Sequence, residues 1–225
     1  MKSKWTAIVP IKFQSERVPG KNFRLLGHKP LFYYVLSTLL SSDRFEEIIV
    51  DIDDLKVKEV LLEEFPFGLT IVERDQELKG HYVSMNDVIL SRLKDVKTEF
   101  VLQTHVTSPF LKSSTISQAI ECFINRVVEN RMNDSLFSVT ESYKRYYFDG
   151  EPINHDGHML TTQFLQPILE ENSLFYLFSK TCFYKNRNRI GSRPHFFTTD
   201  EYEAWDIDTE FDFLIAQKLI SHVPD

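Results

Sequence analysis

Two acids and a group of cations carry the residue types and spacing that suit chemistry. Asp206 and Asp208 stand two apart around Ile207. In extended chain, residues i and i+2 share a side, so both carboxylates face one way while Ile207 turns toward the core. Two carboxylates at that spacing, with ligand oxygens completing the shell, suit Mg²⁺. For an isolated Asp-x-Asp the plainer reading, a strand end with two solvated acids, is the better one. The cations Lys12, Arg17 and Lys21 fall in one loop, Pro10 to Asn22, which also holds Ser15, Pro19 and Gly20. A basic, Gly- and Pro-punctuated loop that follows a strand can offer backbone N–H groups and fixed charge to a phosphate. Neither G-x-x-x-x-G-K-[ST] nor G-x-G-x-x-G aligns to it, and a solvated basic turn fits these residues equally well.

Positioning these groups requires a core, and 225 residues are enough for one α/β domain over 1–225. Apolar runs at Trp5–Val9, Glu47–Asp53, Leu69–Glu73, Phe100–Leu102, Ser135–Thr140, Leu174–Phe178 and Arg193–Thr198 predict strands. Helical spacing marks Leu31–Leu40, Val57–Phe65, Val83–Leu93, Ser113–Val128 and Glu210–Ile220. This alternation predicts a mostly parallel sheet covered on both faces, with the site beyond the carboxyl ends of the strands. Thr209 and Asp212 read as a capping box opening the last helix. The pattern breaks over 141–166, where Tyr143, Tyr146, Tyr147 and Phe148 crowd without a period; such a stretch suits a buried contact with a partner.

A net charge of −7 argues against a general nucleic-acid binder. Cys122 and Cys182 are scattered and read as reduced core residues rather than a metal pair. No apolar run approaches the length of a membrane span and the amino terminus lacks a signal-peptide core, so the expectation is a soluble, cytoplasmic protein.

Ser15-x-Arg17-x-Pro19-Gly20-Lys21-Asn22, followed by Leu26-Gly27-His28-Lys29-Pro30-Leu31, resembles the opening signature of the bacterial-type cytidylyltransferases that make CMP-activated sugar acids. The resemblance continues at Thr107-Ser108-Pro109, near Asn172, and at Asp206-Ile207-Asp208-Thr209-x-x-Asp212, so it spans nearly the whole chain. Lys21-Asn22, where the CMP-Kdo branch runs Lys-Pro, points to the acylneuraminate (CMP-sialic acid) branch.

The resemblance implies a three-layer Rossmann-like nucleotide-diphospho-sugar transferase fold, with 141–166 as a protruding arm that packs on a second subunit in a homodimer. It implies transfer of CMP from CTP to the 2-hydroxyl of a nine-carbon 2-keto sugar acid, with Mg²⁺ on Asp206 and Asp208. Lys21 and Arg17 become clamps on the nucleotide phosphates. Ser15, Asn22 and Lys12 join them, with Lys12 standing where the sialate enzymes commonly carry Arg. Arg74 falls where the family places an arginine that reaches the nucleotide; a surface salt bridge with Glu73 or Asp75 is its other reading. His105 and Thr107 belong to the family's Gln-x-Thr-Ser-Pro stretch, with His105 for the Gln, a role that Gln103 can take. Gln163 and Asn172 match weaker substrate positions. Leu111 and Thr162 stand where the family has Arg, and Ser173 where it has Gly. Against this stand another nucleotide or sugar on the same fold, and a binding protein without catalysis.

Overall fold

The computed structural model describes residues 5–80, 82–156 and 161–220. The chain opens with strand β1 (Trp5–Ile11), the basic loop and a 3-10 turn (Lys21–Phe23). A small hairpin, β2 (Leu25–Leu26) and β3 (Lys29–Pro30), leads into helix α1 (Leu31–Ser41). Then follow β4 (Phe45–Ile52), α2 (Lys56–Glu64), β5 (Thr70–Glu73), α3 (Met85–Leu93), β6 (Phe100–Thr104) and α4 (Ser113–Phe123), which runs on as a π-helical segment to Glu129. The second half contains β7 (Ser135–Ser142), β8 (Tyr147–Phe148), β9 (Glu151–Pro152), β10 (Ile168–Ser179), α5 (Lys180–Asn186), β11 (Pro194–Thr198) and α6 (Glu210–Ile220).

Seven strands form one sheet in the order β11-β7-β10-β6-β1-β4-β5, and only β10 runs against the others. The alternation of strand side chains builds three layers. Ala7, Val9 and Ile11 of β1, Ile48, Val50 and Ile52 of β4, and Leu102 of β6 pack on one face with Val35 of α1, Leu61 of α2 and Ile120 of α4. Their neighbours Ile8, Ile49 and Val101 pack on the other face with Ile89 of α3 and Phe183 of α5. With both faces covered, these strands read as continuous apolar runs. A third cluster seats α6 through Phe213 and Ala216 on Leu26, Leu31, Phe110 and Ile207.

Local chemistry sets the element ends. Ser84 accepts from the Asp87 N–H and Ser179 from the Cys182 N–H, capping α3 and α5. At α6 the expected capping box is present: the Thr209 hydroxyl accepts from the Asp212 N–H, and the Asp212 carboxylate accepts from the N–H groups of Thr209 and Asp208.

Two departures from the sequence expectation lie in the second half. The segment 141–166 has more order than its composition suggests: β7 runs on to Ser142, and β8 and β9 form a hairpin whose turn residues, Asp149 and Gly150, both have positive φ, 50° and 84°. Asp-Gly favours this tight turn, while two-residue strands are too short to show alternation. Residues 157–160 of that expected arm lie outside the described residues. Strand β10 also starts at Ile168 rather than Leu174, because its first half is polar and half-exposed and pairs only with β7.

Candidate active site

Strand order places the site. The chain leaves β1 for β4 and β5 on one side, then returns to β6, β10 and β7 on the other. Loops after β1 and β6 therefore diverge at one edge, the crevice where open α/β sheets bind ligands. A cavity of about 370 Å³ opens there, lined among others by Lys12, Ser15, Arg17, Lys21, Asn22, Arg74, His105, Thr107, Asp206 and Asp208. A second cavity of about 400 Å³ lies at the opposite ends of the strands among Glu46, Glu47 and Lys97. The two are alike in size, so chemistry distinguishes them: the first gathers Lys12, Arg17, Lys21 and Arg74 around the paired acids, whereas the second has Lys97 as its one lining cation.

Gly20, at φ 63°, turns the loop in a left-handed conformation that glycine adopts freely. The turn brings Lys21 inward, where it is 8% exposed and donates to the Ile207 carbonyl. Its Nζ also lies 3.4 Å from Asp208 Oδ1, and Arg17 reaches the same oxygen at 2.8 Å. The Asn22 amide donates to the Lys12 carbonyl and fixes the start of the loop. Lys12 itself donates to the Gly80 carbonyl at 3.3 Å.

Ile207 is fully buried and its N–H donates to the Thr107 carbonyl, so the segment from 206 to 208 is pinned to the loop after β6. Both flanking carboxylates face the cavity, as their spacing suggests. Burial pushes the Asp206 carboxyl up, against a hydrogen bond from Thr107, and the charge of Asp208 adds to the rise. Asp206 Oδ1 is buried and has no hydrogen-bond partner among the described residues. An orphaned carboxylate oxygen beside a second carboxylate fits a hard divalent cation that takes one or two protein oxygens. No group of three or more His, Cys, Asp or Glu that could hold a metal occurs among the described residues, so any cation here would rest on these two acids.

Arg74 is neither solvated nor paired with Glu73 or Asp75. Its Nε lies 2.5 Å from Asp51 Oδ1, both side chains being essentially inaccessible, while Nη2 is buried without a hydrogen bond among the described residues. Arg92 approaches the other Asp51 oxygen at 3.4 Å. Burial raises the Asp51 carboxyl even against these two guanidinium groups.

Gln103 is wholly buried and supports His105 from behind. Arg189 can only donate, and its Nη1 lies 2.7 Å from Gln103 Oε1, so the Gln103 amide nitrogen faces His105 Nε2 at 3.1 Å. The imidazole is thereby neutral with its proton on Nδ1, and burial together with Arg189 and Lys21 brings its pKa down to about 4. Arg189 also lies over the Tyr176 ring, 3.7 Å from its centroid. Arg189 carries little signal in the sequence, because it follows α5, a helix too short to register a period, and is one of several basic residues after Tyr184.

Besides Gln103, which lies behind His105, two more expected substrate residues do not line this cavity. Asn172 donates to Thr199 Oγ1 and accepts from the Leu174 N–H, bracing a break in the β10 register. Gln163 is exposed in a 3-10 turn (Thr162–Phe164).

The fold and the sequence have counterparts among known proteins. A solved CMP:2-keto-3-deoxy-manno-octonic acid synthetase in complex with CTP superposes with a TM-score of 0.72 at 14% identity, covering 97% of this chain and 99% of that one. A 4-diphosphocytidyl-2C-methyl-D-erythritol synthase from Anaerococcus prevotii gives 0.69 at 14%, over 99% and 100%; at such identities the likeness concerns fold. An N-acylneuraminate cytidylyltransferase from Streptococcus agalactiae is 26% identical over 92% of this chain and 51% of its own length. The chain thus spans about half the length of the first curated relatives it matches. A CMP-N,N'-diacetyllegionaminic acid synthase from Legionella pneumophila is 27% identical over 95% of both chains. The cytidylyltransferase family model matches residues 6–215, and with the switch-point cavity and its paired acids this shows that the chain belongs to the cytidylyltransferase family.

Proposed function

We propose that the protein transfers CMP from CTP to the 2-hydroxyl of a nine-carbon 2-keto sugar acid and releases pyrophosphate. The observation that carries this reading is the orphaned Asp206 oxygen beside Asp208, which Lys21 and Arg17 contact in one cavity. That arrangement suits a reaction in which negative charge moves along a triphosphate.

In this reading the 2-hydroxyl oxygen attacks the α-phosphorus of CTP and gives up its proton to solvent, and the bond to the oxygen bridging the α- and β-phosphates breaks. Lys21 and Arg17 hold the triphosphate and neutralise charge on the departing pyrophosphate. Ser15 adds a neutral donor, Lys12 a third cation, and Arg74, held by Asp51 at the cavity wall, adds buried positive charge at the nucleotide end. Asp206 and Asp208 would hold Mg²⁺, which supplies charge neutralisation and orients phosphate oxygens. His105, neutral and with Nε2 already occupied, serves as a lining donor through Nδ1 rather than as a base. Positioning and charge, rather than a dedicated base, carry such a transfer.

The reading includes a homodimer made through the arm and a cytoplasmic setting in which CTP is available. Its support is the exposure of Tyr147 and Phe148 on the hairpin, 61% and 76%, alongside Phe164 and Ile153. No helix among the described residues is long and apolar enough to cross a membrane. Pyrophosphate release measured with each of four nucleoside triphosphates and a panel of 2-keto sugar acids tests the activity: CTP alone should support turnover, and its absence with every acid refutes the transferase. Light scattering at micromolar concentration tests the assembly, and a monomer refutes it.

A further inference from the structure

We propose that Ser173 reads the sugar acid, its hydroxyl oxygen accepting a hydrogen bond from a hydroxyl or amide N–H on the body of that substrate. The proposal deepens the transferase reading and rests on it. Ser173 lines the same cavity as Lys21, Asp206 and Asp208, but from the other end. Across the sheet the lining runs from Arg74 after β5, through the loop after β1 and His105 after β6, to Ser173 in β10. With cations at the first end, the nucleotide belongs there, and the Ser173 end is left for the acceptor substrate.

Backbone and hydrogen bonds present this hydroxyl in a defined way. Ser173 has φ 57°, a left-handed conformation that glycine holds more easily, and sits where the β10 to β7 register shifts between Glu171 and Tyr176. Asn172, bonded to Thr199 and to the Leu174 N–H, fixes that irregularity. Ser173 Oγ lies 3.0 Å from the Tyr176 hydroxyl, which donates to Glu171 Oε1. A carboxylate only accepts, so the tyrosine proton points to Glu171 and the tyrosine oxygen accepts the serine proton. Arg189 over the Tyr176 ring keeps the phenol in place. Ser173 therefore turns lone pairs, not its proton, to the cavity. An acceptor backed by a carboxylate disfavours the substrate's own carboxylate and selects a neutral donor group.

Steady-state kinetics of Ser173→Gly and Ser173→Ala, with thermal unfolding of each, test this. Loss of one neutral hydrogen bond should raise KM for the sugar acid roughly three- to tenfold in both variants, with KM for CTP within about twofold of the parent. Only the glycine variant should unfold at or above the parent temperature, since it relieves the positive φ. A glycine variant that is more stable but keeps the parent KM for the sugar acid would make the hydroxyl incidental and overturn the proposal. A parent protein inactive with every acid overturns the transferase reading together with this one, so the two failures are distinguishable.

Discussion

Asp51→Asn removes the charge that offsets two buried guanidinium groups while keeping nearly the same shape. In the native protein Asp51 is inaccessible, Arg74 is 1% and Arg92 3% exposed at their side chains. Breaking a buried pair by removing one partner costs about 3–5 kcal/mol, because the remaining charge has neither water nor a counter-ion. At roughly 2–4 °C per kcal/mol for a chain of this size, that predicts a fall in Tm of about 6–20 °C. Arg92 retains Asp75 and Asp95 at 3.4 and 3.6 Å, so the loss should fall mainly on Arg74 and place the result toward the lower half of that range. Urea unfolding of Asp51→Asn beside Glu73→Gln, which breaks the exposed Lys79–Glu73 pair, provides the measurement. The surface variant should lose about 1 kcal/mol or less. A matching small loss at Asp51 would refute the argument that burial makes this pair indispensable. The double variant Asp51→Leu with Arg74→Met should regain much of the stability yet leave KM for CTP raised, separating the fold's need for the pair from the nucleotide's need for Arg74.

Asp208→Asn should abolish Mg²⁺-dependent turnover without changing the unfolding midpoint by more than a few degrees; full activity would remove the metal assignment. Lys21→Ala should raise KM for CTP and lower kcat together, and unchanged kinetics would return the first loop to a solvated turn. The His105 imidazole, followed by NMR, should remain the neutral Nδ1–H tautomer through pH 6 and gain a proton only near pH 4. Its folded pKa lies below the unfolded value of about 6.5, so the stability this group confers is complete above that value and is lost as pH falls through about 4; a titration near 6.5 would refute the Arg189–Gln103–His105 arrangement.

Much of the fold was legible because the central strands are covered on both faces and so appear in sequence as unbroken apolar runs: Ile48-Ile49-Val50 sends alternate side chains into two different cores and reads as neither amphipathic nor polar. The paired acids were legible too, since period two needs only one local fact, that residues 206–208 are extended. Other features depended on partners distant in sequence. Nothing near Arg74 announces Asp51, 23 residues away, so neighbouring Glu73 and Asp75 were the natural partners to expect. Asn172 was expected to bind substrate because it matches a position of the resembled family; its bonds to Thr199 and Leu174 depend on a strand break that composition does not reveal. The hairpin of β8 and β9 was hidden by its brevity, although Asp149-Gly150 carried the turn.

The reversed strand β10 divides its labour along its length. Leu174 through Phe178 are all fully buried, and Tyr176, Leu177 and Phe178 pair with both β6 and β7, while the preceding half passes the end of β6, which stops pairing at Thr104 opposite Phe175. Substitutions in the buried half are constrained by packing on two faces. In the polar half, at exposed positions such as Leu169 and Glu170 and away from Asn172 and Ser173, they typically change stability by less than about 0.5 kcal/mol. Ser173, the β10 residue beside the cavity, lies outside the doubly packed half and is limited instead by its positive φ, so glycine or another residue tolerant of that conformation can reshape this end of the cavity while the buried half of the strand stays in place.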